Sequence, residues 1–127
     1  LLLLFNIIER KSMDYLLLTN DALKIVVGAS IFFVWVVRYQ NIVEEFKQYK
    51  LPEWLRDIVG IFKIAFAIML QTSSAHLVML GSAGIGTLMV AALITHIRVN
   101  TPYFKRIPAI SLLLICVILF VVEYSLL

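Results

Sequence analysis

Between residues 21 and 127 the chain holds four apolar segments, each long enough to cross a bilayer. Spanning about 30 Å of hydrocarbon takes roughly 20 helical residues. Backbone polar groups in lipid must be satisfied within the segment, so such segments fold as helices. The first runs from Asp21 to about Tyr39, with Asn20 and Asp21 suited to its N-cap. The second runs from about Leu55 to Gln71, the third from about Ser74 to Thr95, and the fourth from about Ile107 onward. Pro108 then falls in a first turn, where its missing N–H does no harm.

A soluble reading fails on composition. Of 127 residues, 62% are hydrophobic and 15% charged, too few to coat a domain of this size. The charges gather between the apolar segments, and basic residues alternate there with acids, which is no nucleic-acid footprint. The sole cysteine, Cys116, lies in an apolar run and reads as a packing residue.

The connections set the topology. In Gln40–Trp54, Ile42, Val43, Phe46 and Tyr49 recur at helical spacing, which predicts a short interfacial amphipathic helix at about 42–50, ended by Leu51-Pro52. Gln71–Ser74 is short enough to make the second and third helices an antiparallel hairpin. The fold class expected is therefore all-α: an integral membrane four-helix antiparallel bundle, residues 21–127, with an interfacial helix between helices 1 and 2. Residues 1–20 read as a separate N-terminal segment, either an extension or an artefact. Leu1–Ile8 is apolar but too short to span, and Met13 is a candidate start.

Seven basic residues (Arg38, Lys47, Lys50, Arg56, Arg98, Lys105, Arg106) occupy the first–second and third–fourth connections, against Arg10, Lys11 and Lys24 on the other side. The positive-inside rule places those two loops in the cytoplasm and the termini outside it.

Five residues are candidates for binding a ligand. Lys63 lies eight residues from either end of the second segment, about 12 Å deep at 1.5 Å per residue. It either snorkels or faces the bundle interior, paired or holding a polar ligand group. Glu123, Lys24 and His76 share the termini side and, with Tyr124, either form one polar cluster or sit separately among headgroups. A Lys24–Glu123 or a Lys63–Glu123 pair would offset burial. His96 closes the third segment, as a capping residue or a ligand-binding one. The two histidines are about 30 Å apart along one helix and do not share a metal. No Cys/His cluster, Ser-His-Asp constellation or nucleotide-binding glycine loop is present, so no metal or intrinsic cofactor is expected. Gly81-Ser82-Ala83-Gly84-Ile85-Gly86 reads as a close-packing face.

Phe46…Leu51-Pro52…Trp54-Leu55 leading into Gly60-x-x-Lys63, then Ala91-Ala92…Thr95-His96-Ile97-Arg98, then Lys105…Pro108-Ala109, together resemble the DoxX/DoxX-like family of small four-helix membrane proteins over about residues 22–127. Relatives commonly carry Glu or Lys at the position of Lys63 and His near that of His96. The chain departs from many lysine-type relatives in opening its third helix with Ser74-Ala75-His76 rather than Glu-Trp-Ala. The resemblance implies a bacterial inner-membrane protein. Some relatives are subunits of thiosulfate:quinone oxidoreductases or belong to thiol and superoxide defence assemblies, and a eukaryotic branch assists receptor assembly. The expected role is an accessory or quinone-interacting component, with a bound quinone or lipid as guest. A lipophilic binder or transporter and an assembly factor stand as alternatives. Besides the bilayer, expected partners are a larger membrane complex or further copies of the chain.

Overall fold

The computed structural model covers all 127 residues and contains helices and turns only. Helix α1 spans Leu2–Phe32 and continues into a π-helical turn, Phe33–Val37. Helix α2 spans Tyr39–Gln48, α3 Glu53–Leu70, α4 Ala75–Val99 and α5 Tyr103–Leu126. Helix α4 packs against both α3 and α5, α1 packs against α3 and α5, and α2 lies against α3 and the π turn. Val27, Ile31, Leu70, Val78, Ile85, Cys116 and Leu119 form the centre of the contact. Only 18 of 127 residues are buried, so most of the apolar surface faces outward, as a bilayer-embedded bundle requires.

The all-α bundle with an amphipathic helix between its first two members is the architecture expected from the sequence. Leu2–Val37, Ala75–Val99 and Tyr103–Leu126 are long and apolar enough to cross a membrane. Helix α3 is the exception. Its 18 residues include Glu53, Arg56 and Asp57 at the start and Lys63 at mid-length. Its apolar stretch, Ile58–Leu70, is about 20 Å long at 1.5 Å per residue, short of the hydrocarbon thickness.

Two helix starts differ from expectation. The first helix begins at Leu2 rather than Asp21, and Asn20 and Asp21 lie inside it instead of capping it. No glycine or proline interrupts Leu1–Val27, so nothing stops the helix there. With its π turn α1 runs 36 residues, about 54 Å, and residues 2–19 are exposed beyond the bundle. The last helix begins at Tyr103 rather than Ile107, because Pro102 is extended (φ −59°, ψ 151°) and starts the helix directly after itself. Pro108 therefore sits in the second turn, where the Phe104 carbonyl loses its usual N–H donor.

Close approach explains the small residues of α4. A Cβ on Gly81 would stand 2.7 Å from the Phe66 carbonyl oxygen of α3, and Ser82, 1% exposed, bonds to the Met79 carbonyl. Gly86 faces Leu113 and Cys116 of α5. One helix thus serves two neighbours at short range.

Candidate functional site

Left-handed residues end both the amphipathic helix α2 and helix α4. Lys50 adopts a left-handed conformation (φ 58°), at a cost of about 1 kcal/mol. That lets the Lys50 and Leu51 amides bond the Lys47 and Phe46 carbonyls at 3.1 and 3.0 Å. Asn100 ends α4 in the same way (φ 63°), with the Asn100 and Thr101 amides bonding Ile97 and His96 carbonyls at 3.2 and 3.1 Å. The second turn brings the Thr101 hydroxyl to 2.9 Å from His96 Nδ1. The Arg98 guanidinium donates to the Tyr49 carbonyl at 3.1 Å, tying the end of α4 to the end of α2.

Beside these turns lies a cavity of about 780 Å³ between the end of α1, α2, the first half of α3, the second half of α4 and the start of α5. Of its 28 lining residues 18 are hydrophobic, and Lys63, His96 and Glu45 line it with Arg38, Asn41 and Lys105. That size suits a drug-sized ligand, and the mixture suits one with an apolar body and a polar head. An aromatic wall runs along it. Trp35 meets Phe46 edge-on at 6.1 Å, Phe46 meets Tyr49 at 6.2 Å, and Tyr49 meets His96 edge-on at 5.5 Å. Lys63 Nζ stands 5.0 Å from the Trp35 ring centroid, a cation–π contact. Burial and then the Glu45 charge push the Tyr49 phenol from 10 up to about 12, so it stays protonated and able to donate.

The five candidates fall into two places and one outlier. Lys63 and His96 share the cavity. His96 also has its carbonyl engaged in the cap, so its capping and cavity roles coexist. Lys24 and Glu123 meet at the other end of the bundle, Nζ to Oε1 2.9 Å, with side chains only 13% and 12% exposed. Asn20 Nδ2 donates to the same carboxylate oxygen at 3.2 Å, while its Oδ1 is buried without a partner. Glu123 is thus paired with Lys24, not Lys63. His76 and Tyr124 are exposed and lie outside this cluster.

Glu45, Tyr49 and Trp35 are not among the five residues expected to bind a ligand, yet they line the cavity. Glu45 had a signal: Ile42, Glu45, Phe46 and Tyr49 follow the i, i+3, i+4, i+7 spacing of one helix face. A carboxylate on the apolar stripe of an amphipathic helix points into whatever that stripe covers. Trp35 suits the interfacial end of the first segment; the structure carries it on the π turn, with its ring against Gly60.

A family model described as the DoxX-like family matches residues 22–119. The chain belongs to the DoxX-like family. No curated protein and no solved structure matches it. In this DoxX-like chain the stretches that carry the family resemblance converge on one place. Phe46, Leu51, Leu55 and Lys63, then Ala91, Ala92, Thr95 and His96, then Lys105, Pro108 and Ala109 all line the cavity. The Lys24–Glu123 pair differs. Glu123 and its second partner Asn20 lie outside the matched residues.

Proposed function

We propose that this DoxX-like membrane protein binds a lipophilic quinone-type molecule in the cavity at Lys63 and His96. In this reading it acts as an accessory component of a redox assembly in a bacterial inner membrane, not as a self-sufficient enzyme. The observation that carries the reading is an amphipathic cavity at the depth of Lys63, in which an ammonium lies over an aromatic wall. Lys63 supplies hydrogen-bond donors to a carbonyl headgroup, and the hydrophobic lining accommodates the ring and chain. The partners this role calls for are the bilayer and a larger membrane complex or further copies of the chain.

The chain has two tryptophans, and Trp54 is 64% exposed, so a Trp54→Phe variant reports Trp35 alone. In nanodiscs, a short-tailed ubiquinone analogue is expected to quench Trp35 emission saturably. Quenching that rises linearly with quinone, as for any indole in a quinone-doped bilayer, would refute the site.

Orientation belongs to the same proposal. Seven basic residues in and beside the connections from α1 to α3 and from α4 to α5, against three on the termini side, favour a cytoplasmic location for those connections. A periplasm-active reporter fused after Leu127 is expected to be active. Activity confined to a cytoplasm-dependent reporter there reverses the orientation.

A further inference from the structure

The ion pairs of the chain join Lys24 to Asp21 and Glu123, and Arg56 to Asp57. Glu45 and Lys63 take part in none, although both line the cavity. Lys63 spends its ammonium on the Trp35 face, which supplies no hydrogen-bond acceptor lone pair. The Glu45 carboxylate accepts no hydrogen bond from any side chain or backbone donor in the structure. A carboxylate accepts and an ammonium donates, so one cavity presents an unused acceptor and an unused donor that do not touch each other. The aromatic rings of Trp35, Phe46 and Tyr49 line the same cavity.

A headgroup matched to that lining both donates and accepts, and it is planar and aromatic. A quinone carbonyl only accepts, and leaves Glu45 unanswered. A carboxylate headgroup only accepts as well, and brings a like charge toward Glu45. A phenolic hydroxyl does both. We infer that the cavity selects hydroxyarenes, phenols or hydroquinones bearing an apolar chain, with the hydroxyl donating to Glu45 and accepting from Lys63. The inference rests on the cavity being a ligand site. It deepens that reading by assigning the reduced, hydroxyl-bearing form as the preferred guest, and by making Glu45 the residue that discriminates.

The test needs no redox chemistry. Para-octylphenol and its methyl ether share ring, chain and acceptor oxygen, and differ in the donor hydrogen. Both are titrated against Trp35 emission in the Trp54→Phe protein, alongside the ubiquinone analogue and octanoate. The phenol is expected to bind about tenfold tighter than the ether, the size of one hydrogen bond to a charged group. Glu45→Gln keeps an acceptor oxygen but loses the charge, so that ratio is expected to fall to roughly threefold or less, while the affinity for the ether changes by no more than about twofold. Equal binding of phenol and ether overturns the inference and leaves the cavity reading standing. So does an undiminished ratio in Glu45→Gln, or octanoate binding tighter than the phenol. Failure of phenol, ether and quinone alike overturns both.

Discussion

Trp35→Ala is expected to cost roughly 3 kcal/mol of stability and to abolish ligand binding. Trp35 is 7% exposed at the π turn of α1, packed so tightly on α3 that a Cβ at Gly60 would stand 2.7 Å from its ring. Removing a buried aromatic side chain costs about 3–5 kcal/mol through lost transfer and the void left behind. In detergent or lipid the transfer part is smaller and the packing part remains, which favours the lower figure. The change also takes away the ring under Lys63 and opens the wall that Phe46 and Tyr49 continue. Thermal unfolding followed by circular dichroism in one detergent checks it, with Trp35→Phe expected to fall between wild type and Trp35→Ala. A loss under about 1 kcal/mol for Trp35→Ala would show that α2 and α3 hold together without it.

Glu123→Ala is expected to destabilise by a similar amount, roughly 3 kcal/mol, for a different reason. The change leaves the Lys24 ammonium, in a side chain only 13% exposed, without its closest anion and leaves the Asn20 amide without an acceptor. Breaking a buried pair costs more than replacing both members, since the penalty lies in the orphaned charge. Lys24→Met with Glu123→Leu should therefore recover most of the loss. A double-mutant cycle on the same unfolding measurement gives the coupling directly. A double variant as unstable as Glu123→Ala would mean that the contact of α1 with α5 depends on the shape of these side chains and not on their charge.

Much of the bundle was legible because apolar length is a strong signal. The α3–α4 hairpin followed from Gln71–Ser74, and α2 from the stripe Ile42, Phe46, Tyr49 closed by Pro52. What the sequence hid depends on partners far away along the chain. Asn20-Asp21 reads as a cap, yet Asn20 is buried mid-helix because a carboxylate 103 residues later receives its amide. Whether Glu123 pairs with Lys24 or Lys63 is decided by how far α1 and α5 slide along each other, which local pattern does not encode. Lys63 and His96 were legible as polar residues in apolar helices. Their common cavity depends on α2 folding back over α3 and on the Asn100 turn, so it was not legible.

The most direct measurement is the quinone titration repeated on Lys63→Met in the Trp54→Phe background. Methionine keeps most of the side-chain volume and removes the ammonium beside Trp35. Lys63 has no ion-pair partner to strand, so wild-type thermal stability is expected. With the fold intact, quinone affinity should fall at least about tenfold, as expected when a charged donor to a buried acceptor is lost. Wild-type affinity in the folded variant would contradict ligand binding at Lys63 and leave it as a lysine whose charge rests on Trp35 alone.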